Sequence, residues 1–551
     1  MAWGLGAGKI SFELSLPTRR AFTYARRYFA STVFFVHAKV VSFVSIRGSL
    51  MVQAAVKNES FKSSEEVSGD SSNEEILTLE KRLTQELVFA MVAPIGSGAS
   101  TVAEILRSKI EESFGYKANV IKISSLINNR AESFGENPVR NDDPNRVERL
   151  QNLGNKLRER HSSDVLAVLS IDEIYRSRAD SENGEDRRYC TIIDSLKNPE
   201  EVAVLRKVYG DLFWLIGVFS PEDKRISRLE SDVSNSAYLA KIKDADYDEG
   251  LNFGQSVRKT MNYADVFLRN DGDNTDGISH SIERFLSLVF GVGVQTPTRD
   301  EYAMQAASGV SLNSACLSRQ VGAVIVSNSG ELIGQGANDV PKFRGGTYNV
   351  DDGSGDNRCY KWKACQCWND HYKDKLLNQI SSKVGTSITR DELRSGLRKT
   401  DVKNLIEFSR AVHAEMEAII SVARQGKSGI VGSRLFTTTF PCHSCARHIV
   451  ASGIHTVIYI EPYPKSLALT LHSDAITTNP NEAEKVAFLQ YEGVSPSSFS
   501  RVFGAKLDRK ESGKLKTVIP KHARPLASPP LDSLVSREQL VLAPVLEKEE
   551  M

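Results

Sequence analysis

Two stretches of the chain alternate short apolar runs with amphipathic helical patterns, and polar segments flank and interrupt them. The first begins at Glu86. "LVFAMVA" (Leu87–Ala93) is a continuous apolar run of the kind a buried parallel strand needs on both faces. A Gly-rich turn, "PIGSGAST", leads into the amphipathic "VAEILRSKIEESF". Further strand patterns follow at "ANVIKI", "YCTIID", "LFWLIGVF" and "ADVFLRN", with helical stretches between them, so residues 86–290 predict a doubly wound parallel sheet. The second stretch begins near Thr298. A helix, a hairpin over "VGAVIVSNSGELIGQGAN", the helix "AVHAEMEAIISVARQG", the strand "RLFTTTF", the helix "PCHSCARHIVASG" and the strand "TVIYIEP" give the order α-β-β-α-β-α-β. A polar insertion from about 339 to 410 interrupts it.

Outside these stretches there is little to bury. Residues 1–85 are read as a disordered leader. Their first fifty carry one acid, Glu13, and an apolar run broken by His37 and Lys39. A membrane anchor, which needs about 20 apolar residues, and an organellar transit peptide compete with translation from Met51, the reading favoured here. "KNESFKSSEEVSGDSSNEE" is polar and Ser/Glu-rich, and the tail over 504–551, with "RPLASPPLDS", is expected to be flexible.

A net charge of +1 removes any global electrostatic grip on nucleic acid, although the insertion holds "KFRGG", "CYKWK" and "LRSGLRKT". Seven cysteines in 551 residues do not make a secreted disulfide framework and fit a reducing, cytoplasmic setting with metal chemistry.

The turn after the first strand has the setting of a nucleotide phosphate loop, in which backbone N–H groups and a helix N-terminus cradle phosphates. Against G-x-x-x-x-G-K-[ST], Ala93 stands at the first Gly and Ala99 at the Lys, so the charge that reaches the outer phosphates is missing. Gly96, Ser97 and Gly98 form the remaining nest, with the hydroxyls of Ser100 and Thr101 beside it. Asp194, at a strand end, is the candidate Mg²⁺ acid or else a helix cap, and Arg225 and Arg228 form a candidate phosphate clamp. The segment resembles the P-loop nucleotide kinases over Leu87–Leu288, which implies a nucleotide with Mg²⁺. The lost lysine puts phosphoryl transfer in doubt and leaves an inert scaffold as the alternative.

The one C-x-x-C, Cys442 and Cys445, admits a redox couple, half of a structural zinc knuckle, or part of a catalytic metal site. His413 and Glu415 decide among them. His413, Cys442 and Cys445 supply three zinc ligands and leave a fourth position for water. Glu415, two residues past the His, can take that water's proton without binding metal. A redox pair does not explain His413 and Glu415, and a structural site needs a fourth protein ligand, for which His443 or an insertion cysteine would serve. H-x-E with P-C-x-x-C is the signature of zinc nucleobase deaminases.

Residues 298–503 resemble the cytidine and deoxycytidylate deaminases, with "CLSRQVGAVIV", "HAEMEAI" and "PCHSCARHIVASGI" carrying the likeness. The resemblance implies a cytidine deaminase-like α/β/α sandwich, sugar contact by Asn338 and nucleotide contact by Arg319. It also implies a homo-oligomer and a second, structural zinc, for which Cys359, Cys365, Cys367 and His371 are the candidates; free thiols on a flap, with Trp362 and Trp368 packed beside them, are the alternative. Joined to a kinase-like unit, with "EPYPKSLALTLHSDAI" following, the layout is similar to the bacterial antiphage deoxycytidine nucleotide deaminases. That implies hydrolysis of dCTP and dCMP, phosphate contact by Lys465 or His472, and restraint by a small RNA or another inhibitor. Competing functions are a single-stranded DNA or RNA cytidine deaminase and a housekeeping dCMP deaminase in thymidylate synthesis. No membrane partner is expected.

Overall fold

The computed structural model describes residues 82–179, 188–230, 246, 254–272, 274–384, 389–397, 400, 407–463, 465–504 and 509–549. The leader expected over 1–85 therefore lies outside the described residues except for its last four positions, which belong to the folded unit Glu80–Met551. Among the described residues no helix is long and apolar enough to cross a membrane.

The first sheet is built around β1 (Leu87–Val92), buried along its whole length. Alternation sends Val88, Ala90 and Val92 into one core and Leu87, Phe89 and Met91 into the other. β2 (Lys117–Ile121), β3 (Tyr189–Ile193), β4 (Phe213–Phe219) and β5 (Val266–Arg269) run parallel to it in the order β5-β4-β1-β3-β2. Helix α1 (Ala99–Phe114) and the helix Asp276–Val289 pack together on one face. Here Phe285 meets Phe89 and Trp214 edge-on. On the other face the helix Pro199–Tyr209 starts from a capping box in which Asn198 and Glu201 bond each other's backbone N–H region. Asn198, and not Asp194, is thus the cap.

The second sheet has the order β10-β11-β9-β8-β6-β7. Its strands are β6 (Gly322–Val326), β7 (Leu332–Ala337), β8 (Arg434–Thr439), β9 (Thr456–Glu461), β10 (Ile476–Thr477) and β11 (Val486–Gln490). β7 and β8 flank β6 antiparallel, and the rest is parallel. α2 (Arg299–Ser311) packs on β6 and β8, while α3 (Ala414–Arg424) lies on β7. Gly336 makes that approach possible: a Cβ there would sit 2.4 Å from the Ala414 carbonyl oxygen and from the Ala418 nitrogen. α4 (His443–Ala451) follows β8.

The two sheets are stitched together. β12 (Gly493–Val494), which follows β11, pairs antiparallel with β5 of the first sheet. Glu301 caps α2 with Thr298, accepts the Val494 N–H at 3.0 Å and binds Arg284 at 2.7 Å. The tail expected to be flexible over 504–551 instead ends in α5 (Leu531–Glu549). The fully buried Glu538 of α5 binds Arg178 and receives the Tyr209 hydroxyl at 2.9 Å, and Leu83 bridges Pro530. The Pro/Ser-rich composition before α5 hides a helix whose burial is provided by distant elements.

Candidate metal centre and active site

Residues before two helices converge. His413 is the N-cap of α3, and Cys442 is the N-cap of α4, where its Sγ accepts the Cys445 N–H at 3.4 Å. Helix N-termini carry positive potential, so both ends favour thiolate or carboxylate charge at one spot. His413 Nδ1 lies 3.4 Å from Cys442 Sγ and 3.3 Å from Cys445 Sγ. All three ligand atoms fall within 4.8 Å of one another. Ligands on a tetrahedral zinc stand about 3.5 Å apart, from bond lengths of about 2.0–2.3 Å. The donor set therefore fits one zinc ion with a fourth position open.

Cys445 and Glu415 are buried, and Cys445 Sγ stands 3.6 Å from Glu415 Oε2. Burial pushes the Glu415 carboxyl up, against the nearby His413 charge. The hydrogen bond from Cys445 pulls the Cys442 thiol down to about 4, with His413 adding to it, while the same bond and burial push Cys445 well above the usual thiol range. The Cys442 hydrogen bond in turn raises His413 to about 8. At neutral pH the protein alone thus pairs a Cys442 thiolate with a His413 imidazolium, and a metal binding here must displace the His413 and Cys445 protons.

A cavity of 270 Å³ opens onto His413, Glu415 and Cys442. Asn338, Arg319 and Lys465 all line it. The Asn338 amide is engaged with backbone: Oδ1 accepts the Val321 N–H at 2.7 Å, and Nδ2 donates to the Arg319 carbonyl at 2.9 Å. It shapes the pocket wall as well as facing it. Arg319 lies 3.4 Å from Glu461 and over the Tyr463 ring. His472 is not among the lining residues.

The insertion also reaches this cavity, though not as a four-ligand zinc site. Cys359, Cys365, Cys367 and His371 do not converge: among the described residues, His413, Cys442 and Cys445 are the only group of three or more such ligands. Cys365 is exposed at a left-handed backbone position, whereas Cys359 and Cys367 line the cavity with Cys316. One intervening residue and that turn separate the two side chains. Trp368 also lines the pocket, and its buried Nε1 has no hydrogen-bond partner among the described residues. Arg410 stacks on Trp362 with its guanidinium 3.7 Å from the ring centroid. Sequence reasoning missed Arg410 and Cys316. Arg410 stands three residues before His413, and that proximity was the available signal.

The phosphate loop is formed, and its carbonyls are bonded by side chains of neighbouring elements. Gly96 and Gly98 are left-handed, and a Cβ on Gly98 would meet Asn270 Nδ2 at 2.3 Å. Arg225 and Arg228 donate to the loop carbonyls of Ile95 (3.5 Å) and Gly96 (3.2 Å), and Asn270 donates to that of Ser97 (2.8 Å). Asp246 accepts the Ile95 N–H at 2.8 Å and is paired with Lys197. Ser97 Oγ is fully buried and has no partner among the described residues. Ser100 and Thr101 stand in the exposed first turn of α1. Burial pushes the Asp194 carboxyl up, and Oδ1 accepts the Ile123 N–H at 3.0 Å.

The chain is similar to several known proteins. Residues 297–461 match the cytidine and deoxycytidylate deaminase zinc-binding region. The deoxycytidylate deaminase of Enterobacteria phage T2 is 32% identical over 177 residues, 30% of this chain and 80% of the relative. A UPF0200 protein of Methanoregula boonei is 26% identical over 204 residues, 35% of this chain and 98% of the relative. A solved dCMP deaminase of cyanophage S-TIM5, in complex with dCMP and dUMP, is 21% identical with a TM-score of 0.21, covering 35% of this chain and 98% of that one. A helix-capped His/Cys/Cys cluster with an adjacent buried glutamate, on a mixed α/β sheet, defines a hydrolytic deaminase. The chain belongs to the deoxycytidylate deaminase family and is an enzyme of that family.

Proposed function

We propose that this chain is a zinc-dependent deaminase that hydrolyses dCTP and dCMP to the deoxyuridine nucleotides and ammonia, drawing down dCTP in antiphage defence. The observation that carries the chemistry is Glu415 Oε2 standing 3.6 Å from Cys445 Sγ, beside the three converging ligands. Zinc, when bound by His413, Cys442 and Cys445, would supply a Lewis acid that acidifies water. Glu415 takes a proton from the water that attacks C4 of cytosine and hands it to the ring N3. It then passes a proton to the leaving amine, so one water is consumed and one ammonia released. A carboxyl whose affinity for protons is raised by burial suits both halves of that relay. Arg319 and Lys465 attract the phosphates, and Asn338 holds the wall against the sugar.

The monophosphate arm is supported by the names of the phage relatives. The triphosphate and antiphage arms are supported by the pairing of a phosphate-loop unit, 86–290, with a deaminase unit, 298–503, as in the resemblance drawn from the sequence. A nucleotide with Mg²⁺ on the first unit, a homo-oligomer, an inhibitory small RNA and a cytoplasmic site of action complete the proposal. The test is ammonia release and uracil nucleotide formation by purified zinc-loaded protein given dCTP or dCMP, with Glu415→Ala as control. Turnover of neither sinks the reading. C-to-U conversion in a single-stranded oligonucleotide would move it to polynucleotides. A nucleotide-pool measurement with and without phage tests the defence arm.

A further inference from the structure

The catalytic cavity has a buried floor and a charged rim. Glu415 and Cys442 are buried, with His413 half-buried beside them, so the reacting base must reach inward to them. Arg319 and Lys465 are exposed and Arg410 is half-buried, and all three line the same cavity. A nucleotide with its base at the floor therefore carries its phosphates out to cations. One phosphoryl group is served by a bidentate arginine and a lysine. Arg410 is surplus to that need, and it comes from the end of the insertion.

Arg410 is braced without being neutralised. Its guanidinium stacks on Trp362 at 3.7 Å, and Nη1 donates to the Asn357 carbonyl at 3.1 Å. Stacking fixes the plane of the fork and leaves its remaining N–H groups for an acceptor. Among the described residues Arg410 has no ion-pair partner. Its titratable neighbour is the Cys359 thiol, which burial pushes up, against the pull of Arg410, and so keeps neutral. The two carboxylates that line the cavity are committed elsewhere. Glu415 stands beside Cys445, and Asp339 accepts the Ala315 N–H at 2.9 Å and the Val340 N–H at 2.8 Å.

A second donor stands on the same wall. Trp368 opens the helix Trp368–Val384 and lines the cavity, and its buried Nε1 has no hydrogen-bond partner among the described residues. An indole N–H only donates, so its loss of water is uncompensated until an acceptor arrives. The ring is held by Trp362 at 5.0 Å and by His371 at 5.3 Å. Trp362 thus braces Arg410 and Trp368 alike, and both donors belong to one aromatic stack. The preceding residue, Cys367, has its Sγ 3.9 Å from Ser318 Oγ, one position before Arg319. The insertion therefore brings its two donors to the side of the cavity that Arg319 already lines.

We propose that Arg410 and the Trp368 N–H bind the outer phosphoryl groups of a substrate nucleoside triphosphate, and so favour dCTP relative to dCMP in the catalytic pocket. The inference rests on the deaminase reading and names the substrate class of that same site. Arg319 and Lys465 suffice for the phosphoryl group nearest the sugar, which both substrates carry. The β- and γ-phosphoryl oxygens, which only the triphosphate has, are the acceptors that the insertion's donors otherwise lack. Both residues are specificity determinants remote from the reacting atoms, so they act on KM far more than on kcat.

Steady-state kinetics on full-length, zinc-loaded protein compares the two substrates. Arg410→Ala should lower kcat/KM for dCTP by about tenfold or more, through KM, while dCMP changes by less than about twofold. Arg410→Lys, which keeps the charge and loses the fork, should recover part of that loss. Trp368→Phe, which keeps an aromatic ring and removes the N–H, should raise the KM for dCTP by about fivefold. An arginine that merely held the insertion in place would lower both substrates alike, so an unchanged dCTP-to-dCMP ratio in a folded Arg410→Ala overturns the inference. If that variant fails to fold, the ratio in Trp368→Phe decides in its place. Calorimetry with the products dUTP and dUMP reads the same contrast without turnover. Protein that deaminates dCMP but neither deaminates dCTP nor binds dUTP overturns this inference alone. Protein that deaminates neither nucleotide, yet loses dUTP affinity in Arg410→Ala, overturns the deaminase reading alone.

Discussion

The catalytic cluster and the phosphate loop both sit where a loop enters a helix N-terminus, yet they spend their polar groups in opposite ways. At His413, Cys442 and Cys445 the side chains turn toward each other and toward a cavity, so their chemistry awaits a metal and a substrate. From Ile95 to Ser97 the loop carbonyls are bonded by Arg225, Arg228 and Asn270, and the Ile95 N–H is met by Asp246. Convergence of unmet donors makes a reactive site, whereas internal satisfaction makes a rigid one. A motif read in one dimension does not distinguish the two.

The comparison breaks most sharply at the ligands. Cys442→Ser should lose zinc by elemental analysis and abolish deamination, while the corresponding loop substitution, Ser97→Ala, should leave zinc content at the wild-type level. Glu415→Gln should lower kcat by about 10²–10⁴-fold with zinc retained, because it removes the proton carrier and not a ligand. Full activity in that variant would end the assigned role.

Smaller effects test the scaffolds. Gly336→Ala forces a methyl against the Ala414 carbonyl and should cost about 1–3 kcal/mol in chemical denaturation, with zinc affinity falling because α3 carries the site. Gly98→Ala should cost stability through its left-handed backbone and Asn270, without touching zinc content. The smallest effect is set by pH. Burial opposes ionisation of Glu301, but the bonds from Arg284, Thr298 and Val494 outweigh it and hold the carboxyl below its ordinary 4.5. Its contribution is therefore complete above that value and fades as pH falls through the lower, folded value. Melting curves between neutral pH and pH 3 should show a steeper acid loss for wild type than for Glu301→Gln.

Much of this was legible in the chain. Leu87–Val92 announced a buried strand because both faces are apolar, and His413, Glu415, Cys442 and Cys445 announced a metal site because two short motifs fix four positions. What escaped depends on contacts between distant residues. Arg410 reaches the pocket from the end of the folded insertion, and Cys316 from the turn between α2 and β6. The α5 helix is held by Arg178 and Tyr209, more than 300 positions away from Glu538.

The two-residue strand Gly493–Val494 has a practical consequence. A deaminase fragment cut out at 298–503 would carry that strand without its mate, and the remaining sheet would end in a bare β5 edge of the sort that invites intermolecular pairing. The halves of this protein look like separable modules, yet excising either one exposes an unpaired strand edge.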